Sequence, residues 1–145
     1  QMAITQAMAT SFKAEILDEQ HDLVADTIKI ALYTSSATIN ATTTAYSTSN
    51  EVANGNGYAT GGVTLTNKAV STAGASTSGG TAYFDADDPT WTSASFTARG
   101  ALIYNSTNSD KAIAVLNFGG DFTVSSGTFR IVFPAAGANA IVTIA

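Results

Sequence analysis

The chain contains no cysteine, so neither a disulfide nor a thiolate metal site can hold its fold together. Charge is also scarce, since only 12% of the residues are charged where an ordinary domain has about 25%. The few cations are scattered and the net charge is −5, whereas phosphate binding needs concentrated positive charge. We therefore expect no nucleic-acid partner. A surface with so little repulsive charge favours association, which predicts a homo-oligomer or a place in a larger assembly.

Long apolar runs are missing as well. None approaches the roughly 20 residues of a membrane span, so no membrane partner is expected. The first residues, QMAITQAMATSF, have no cation ahead of their apolar positions, which is not the pattern of a secretory signal. Abundant Thr, Ser, Asn and Gly take the place of charge, and these residues suit strands and turns.

The N-terminal part has the period of a helix. Its apolar stripe consists of Met8, Ala9, Phe12, Ile16 and Leu17. The spacing predicts a helix over about residues 5–21, with Thr5 or Thr10 as its cap. Five of the eleven acidic residues lie in this helix or just after it, as a solvated face or as a docking surface for a basic partner.

From Thr27 onward the apolar period changes to two, which is typical of half-buried strands. The alternation predicts strands at 27–34, 62–68, 81–85, 95–98, 101–105, 111–118, 128–134 and 140–144. Two pairs read as hairpins, one closed by NSTNSD (105–110) and one by PAAGAN (134–139). The stretches 34–62 and 71–81 show no clear hydrophobic period. Within the first of them, Ala45–Tyr46 or Glu51–Val52 is a candidate for a short edge strand.

Strands that follow one another without intervening helices exclude a parallel α/β sheet. The prediction is a mainly β fold, an antiparallel β-sandwich or jelly-roll-like barrel with one N-terminal α-helix. We divide it into an N-terminal helical segment or arm (1–25) and a β-domain (26–145).

The glycine-rich stretch EVANGNGYATGGVTL (51–65) superficially suggests a phosphate-binding loop. A dinucleotide fingerprint needs G-x-G-x-x-G before a helix, but here the spacing differs and a strand follows. The P-loop pattern fails too, because no Gly-Lys-Ser/Thr occurs. The stretch is therefore predicted to form turns, in which Asn and Gly supply positive φ.

Residues for catalysis do not converge. His21 is the only histidine, and it lies at the end of a predicted acidic helix, where a surface or helix-end residue is expected. No nucleophile, base and orienting group can be named together, so we predict no catalytic residues, no enzyme activity and no cofactor.

Two other features are weak candidates for binding. The cluster Asp85, Asp87 and Asp88 offers oxygens to a hard cation, but it lacks the pattern of a calcium loop and precedes Pro89, as an acidic turn would, so no metal site is predicted. Trp91 is a possible sugar or partner contact, although a lone Trp in a β protein is more often part of the core or an interface.

The order of several segments resembles a family of small virion structural proteins of tailed bacteriophages. The segments are SFKAEIL (11–17), DTIKIALYTSSATI (26–39), EVANGNGYATGGVTLTN (51–67), TAYFDADDPTWTSASFTARGALIYN (81–105) and KAIAVLNFGGDFTVSSGTFRIVFP (111–134). The most telling elements are IKIALYTSSAT, TARGALIYN and AVLNFGGD. The resemblance implies a virion location after assembly in the bacterial cytoplasm, with the major capsid protein as partner, and by analogy a trimer. It supplies no catalytic residues.

The leading expectation is a capsid decoration, or cement, protein that binds the head shell and stabilises it. Its contact residues are predicted in the N-terminal segment, at Met2, Ile4, Met8, Phe12 and Ile16, unless these side chains pack on their own sheet. A tail or fibre component of the virion is one alternative, and a secreted carbohydrate-binding β-module that uses Trp91 is the other.

Overall fold

A computed structural model describes residues 3–73, 80–137 and 139–144. These residues form one helix and eight strands. In chain order they are β1 (Ala7–Met8), α1 (Thr10–Leu17), β2 (Ile28–Tyr33), β3 (Val63–Thr64), β4 (Ala69–Ala73), β5 (Thr81–Asp85), β6 (Thr90–Asn105), β7 (Lys111–Arg130) and β8 (Val142–Ile144).

The strands form two antiparallel sheets, which confirms the predicted fold class. The larger sheet has the order β1-β7-β6-β2-β3 and the smaller one β4-β5-β8. Apolar residues of both sheets belong to one core, for example Ile30 and Leu102 from the larger and Phe84 and Val142 from the smaller. The sheets do not close into a barrel, so the fold agrees with the sandwich rather than the barrel.

Strand β2 lies between β6 and β3 in the larger sheet. Its alternating pattern predicts one buried face, yet all its residues except the half-buried Lys29 are buried. Tyr33 is buried because its hydroxyl donates a hydrogen bond to the Ser47 carbonyl, 2.6 Å away. Because this hydroxyl has a hydrogen-bond partner, the Tyr33 ring can be buried on the other face of β2 without leaving a polar group unsatisfied.

Four of the predicted strands belong to two long ones. Strands 95–98 and 101–105 are parts of β6, while 111–118 and the first residues of 128–134 are parts of β7, which ends at Arg130. The predicted NSTNSD turn is confirmed, because Asn105 and Lys111 pair with each other on either side of it. We call 100–105 with 111–117 the proximal half of this ribbon, and 90–98 with 118–130 the distal half.

The distal half is strongly bent. A straight strand rises about 3.3 Å per residue, which would place Phe118 and Phe129 more than roughly 30 Å apart. Their ring centroids are 6.1 Å apart. Gly119 with φ +81° and Ser126 with φ +48°, together with shifts in the β6–β7 register, allow this bend. The concave side encloses an aromatic cluster of Tyr58, Trp91, Phe96, Phe118 and Phe129.

The second predicted hairpin is wrong. Strand β8 pairs with β5 and not with residues 128–134, so the PAAGAN segment connects two sheets. Of the predicted strand 62–68, only Val63–Thr64 form a strand, which is β3. Strand β4, which pairs with β5, begins just after that range at Ala69 and runs into the stretch 71–81. Within that stretch, residues 74–79 lie outside the described part.

The predicted helix is also too long. The observed helix, α1, begins at Thr10 and ends at Leu17. Ala9 occupies the N-cap position and makes no side-chain cap. Ala7 and Met8 instead form β1 and pair with β7, because the backbone of β7 needs a partner at this edge. Over residues 3–25 the segment expected to be an arm packs against the sheets.

The glycine-rich stretch forms turns, as predicted. Gly55 and Tyr58 exchange two backbone hydrogen bonds of 2.7 and 3.0 Å around Asn56 and Gly57, both of which have positive φ. Gly62 has φ +79°, and a Cβ there would lie 1.8 Å from the Ile30 carbonyl oxygen. Only glycine fits this position.

Candidate interaction surface

Exposed apolar residues of α1 and the smaller sheet lie side by side. A groove of about 450 Å³ is lined by Met8, Phe12, Lys13, Ile16, Leu17, Thr143 and Ile144. A second groove of about 110 Å³ shares Ile16 and Ile144 with it and continues to Val70 and Tyr83. We call the surface formed by these two grooves the α1–β8 face. Leu17 at its rim is 88% exposed and adjoins the other apolar side chains of the groove, so the exposed surface is a contiguous patch and not a single residue.

The local structure explains why this face is apolar. Phe12 and Ile16 are one helical turn apart, so both point to the same side of α1, where Phe12 is buried and Ile16 is half-buried. In β8 the side chains of Val142 and Ile144 share a face, because side chains alternate along a strand. Val142 is buried and Ile144 is 49% exposed, so the apolar surface runs from the core outward.

Charge is nearly absent from this face. Lys13 is the one charged residue that lines the larger groove, and it takes part in none of the ion pairs found among the described residues. A partner that covers the face would thus meet mainly apolar side chains, the hydroxyls of Thr143 and Tyr83, and the ammonium group of Lys13.

The predicted contact residues are only partly brought together. Met8, Phe12 and Ile16 line the larger groove, whereas Ile4 is buried elsewhere, in a parallel bridge with Ile39. Met2 lies outside the described residues.

The sequence did not indicate that Val70, Tyr83 and Ile144 would join this surface. They come together through the pairing of β4, β5 and β8, and strand order cannot be read from the local period.

Of the two positions expected for His21, the surface is wrong, whereas the residue does lie close to the end of α1. Its side chain is 0% exposed and packs edge-on against Phe12, with ring centroids 4.9 Å apart. The Nε2 atom is 3.0 Å from Glu15 Oε1, and Nδ1 is 3.0 Å from Asn105 Nδ2. The histidine therefore links the end of α1 to the β6–β7 turn.

The hydrogen bonds of Asn105 define the histidine tautomer. Asn105 Oδ1 accepts from the backbone N–H groups of Thr107 and Asn108, at 3.1 and 3.3 Å, which fixes the amide orientation. Its Nδ2 then donates to His21 Nδ1 and, at 2.8 Å, to Asp26 Oδ2. Nδ1 must accept, so the ring proton is on Nε2 and is donated to Glu15.

We call Glu15, His21, Asp26 and Asn105 the His21 latch. The hydrogen bond from Asn105, followed by that from the Asp22 backbone, lowers the pKa of Asp26. Both ring nitrogens of His21 are engaged and the ring is buried, so the histidine has no free nitrogen for a substrate proton. In this arrangement the latch holds α1 in place on the β6–β7 turn.

Glu51 organises the long loop after β2, a role that no pattern in the sequence indicates. Its carboxylate accepts hydrogen bonds from the hydroxyls of Tyr46, at 2.6 Å, and Tyr58, and from the Gly61 N–H at 2.8 Å. The Tyr58 hydroxyl also accepts from the Leu32 N–H, 2.9 Å away. Burial, and then the bond to the Glu51 carboxylate, raises the pKa of both phenols.

Short backbone bridges complete this loop. One joins Ala45 to Lys111 and another joins Glu51 to Tyr33, at two of the positions for which the sequence suggests an edge strand. The loop is therefore tied to both β2 and β7 although it contains little regular structure.

The acidic cluster fixes turns. Asp87 accepts hydrogen bonds from the side chains of Thr66 and Asn67. Asp88 accepts from the Phe133 N–H at 2.8 Å and from Arg130 at 2.7 Å, and these two bonds lower its pKa. The third member, Asp85, is a residue of β5. Among the described residues no group of three or more His, Cys, Asp or Glu side chains could hold a metal ion.

Trp91 is 3% exposed and lies in the aromatic cluster of the distal half. Its ring stacks on Tyr58 and meets Phe129 edge-on, with centroids 6.4 and 5.9 Å apart. In this arrangement no face of the indole is open to a sugar ring. Its Nε1 has no hydrogen-bond partner among the described residues.

In the described part of the chain, no helix has the length and apolar character needed to cross a membrane. Comparison of the chain with protein-family models, with curated proteins and with solved structures found no match.

Proposed function

We propose that this chain is a bacteriophage virion structural protein, a capsid decoration protein that attaches to the head shell through the α1–β8 face. The exposed apolar surface around Leu17 and Ile144 is the observation that carries the binding role. Large apolar side chains that remain exposed in a folded domain are typical of interaction sites. The capsid as partner comes from the sequence resemblance alone.

The mechanism is adhesion. Burial of apolar surface favours the bound state by about 25 cal/mol per Å². A subunit that binds only the assembled shell therefore stabilises the shell by mass action. Lys13 adds a requirement on the partner, because an ammonium group covered by apolar surface must meet a carboxylate or carbonyl oxygen. The site on the shell is thus expected to be apolar with one oxygen acceptor near Lys13.

The test uses heads isolated from a phage whose gene for this chain has been deleted. Purified wild-type protein should cosediment with these heads, and the double variant Leu17→Lys/Ile144→Lys should not, because two charges on the face would be desolvated. Val24→Lys is the matched control, since Val24 is 48% exposed but lines neither groove.

Other outcomes separate the alternatives. Binding to isolated tails and not to heads would replace the decoration role by a tail role. Binding to neither, or equal binding of the double variant and the wild type, would contradict the proposal.

A further inference from the structure

Strand β7 has a free edge in the distal half of the ribbon. Strand β1 pairs with β7 only at Ala114 and Val115, and among the described residues no other strand or isolated bridge reaches that side of 118–130. On the opposite side of the ribbon, the Asn56 carbonyl accepts a hydrogen bond from the Ser95 N–H, 2.9 Å away, so the turn before Tyr58 covers β6. The edge of β7 therefore presents unpaired backbone donors and acceptors.

The sequence of this edge lacks the usual protection against pairing. The run FTVSSGTF (122–129) contains no charged residue and no proline, and it is rich in aromatic and β-branched side chains. Register shifts also blunt edges, but Ala98↔Phe122, Thr97↔Thr123 and Phe96↔Val124 follow one another without a shift. Three consecutive residues, Phe122, Thr123 and Val124, thus keep a regular backbone edge between the register shifts on either side of them.

An apolar patch lies beside the same edge. Phe122 is 53% exposed and Val132 is 72% exposed. With Phe118 and Ile131 they line a groove of about 270 Å³. Unpaired backbone groups and exposed apolar side chains therefore occur at the same place, and each independently favours an interface.

We propose that a second copy of this chain pairs antiparallel with the distal edge of β7, about a two-fold axis. A bare strand edge is complementary to itself, because it carries both donors and acceptors, so an identical edge satisfies it without further adaptation. Phe122 of each copy is then covered by the other copy.

The charges at the ends of the run set the direction of pairing. Asp121 precedes it and Arg130 ends it. Antiparallel pairing directs the Asp121 end of each copy toward the Arg130 end of the other, whereas parallel pairing would align like charges. Both residues already have partners within the chain, the exposed Arg99 for Asp121 and the half-buried Asp88 for Arg130, so these charges orient the copies and contribute little to their affinity.

This interface goes beyond the proposed attachment to a shell. It shares no lining residue with the α1–β8 face, so both copies of a dimer keep that face free. Each dimer carries two such faces and can bind two sites at once, which raises its effective affinity for a repeating surface.

The test is sedimentation equilibrium of the purified full chain over a range of concentrations. The wild type should form a dimer, and Phe122→Lys should raise the dimer dissociation constant about 30-fold or more, as expected for a buried aromatic anchor. Ser125→Lys is a second variant that leaves the aromatic cluster intact and places two like charges near the axis. Val24→Lys is the matched control, because Val24 is 48% exposed but lines none of the three grooves, and it should dimerise like the wild type.

Hydrogen exchange locates the contact. In the wild type the protection of amides in 121–125 should rise with protein concentration. A wild type that is monomeric at about 100 μM would overturn the proposal, since its dissociation constant would then be weaker than that of a specific interface. So would a dimer that both variants retain, or one that Leu17→Lys dissociates while protection of 121–125 stays constant.

Discussion

The two halves of the β6–β7 ribbon are built on different principles. In the proximal half, residues 101–105 and 112–115 are all buried, because β2 and β1 flank the ribbon. In the distal half only one side is buried, by the aromatic cluster, and the strand bends around it. The proximal half is therefore constrained by close packing on every side, whereas the distal half is constrained mainly by backbone conformation and one group of rings.

Glycines show this difference most directly. Gly62 beside the proximal half and Gly119 in the distal half have nearly the same φ, +79° and +81°. A Cβ at Gly62 would lie 1.8 Å from a backbone oxygen, while a Cβ at Gly119 would have nothing within 4 Å. The same backbone angle thus serves tight packing in one half and a bend in the other.

The largest expected effect comes from substituting these two glycines. Gly62→Ala forces β2 and the loop apart and is expected to destabilise the fold by more than about 4 kcal/mol or to prevent folding. Gly119→Ala has only the backbone strain of a positive φ and should cost about 1 kcal/mol. Urea unfolding of both variants measures the contrast, and equal losses would show that the two glycines are not constrained differently.

The next effect tests whether the halves unfold together. Leu102→Ala removes a fully buried side chain from the proximal half and should cost about 3 kcal/mol, with hydrogen-exchange protection lowered in both halves. Phe129→Ala removes a ring from the aromatic cluster and should lower protection in 90–98 and 118–130 while 101–105 stays protected. Loss of protection throughout the chain in Phe129→Ala would show that the distal half is part of the same cooperative unit.

The sequence predicts local features of both halves and misses what joins distant segments. The period of two identifies most of the strand residues, and Asn-Gly identifies the turn at Asn56 because the dipeptide itself requires positive φ. Gly119 and Gly120 look like a break between strands, yet the chain continues as one bent strand through them. A local pattern cannot tell a bend from an end, since glycine permits both.

The candidate site shows the same limit. The stripe of Phe12 and Ile16 identifies the helical side of the α1–β8 face, but Ile144 joins it only because β8 pairs with β5. The acidic neighbours of His21 in the sequence predict a surface position. The observed position instead depends on Asn105, which lies far away in the chain. Such contacts are determined by topology, and a single sequence does not reveal topology.

A smaller effect is expected from polar side chains in the two halves. Asn105→Ala in the proximal half leaves His21 Nδ1 without its donor and two backbone N–H groups without their acceptor, and should cost about 2 kcal/mol. Asn117 is exposed, and among the described residues its side chain accepts only from the Gly119 N–H, at 2.9 Å. Asn117→Ala should therefore change stability by less than about 0.5 kcal/mol. Thermal unfolding of both variants gives the comparison, and equal values would contradict the structural role of the His21 latch.

The smallest effect concerns the carboxylates at the two ends of the ribbon, Asp26 beside the proximal half and Asp88 beside the distal end. The pKa of each is lowered from 3.8, chiefly by the Asn105 side chain for Asp26 and by the Phe133 N–H for Asp88. A carboxylate whose pKa is lower in the folded state contributes stability above its ordinary pKa, and this contribution is lost as the pH falls through the folded value. Asp26→Asn and Asp88→Asn should therefore be less stable than the wild type at pH 7.

The difference from the wild type should shrink as the pH falls below about 4, because the unfolded chain then takes up protons at these carboxylates before the folded chain does. Asp18→Asn is the control, since its carboxylate takes part in none of the hydrogen bonds or ion pairs found among the described residues. Urea unfolding at pH 7 and pH 3 measures these differences. If Asp88→Asn loses the same stability at both values, the Asp88 contribution arises from shape rather than charge, and the distal end is held by packing in the same way as the proximal half.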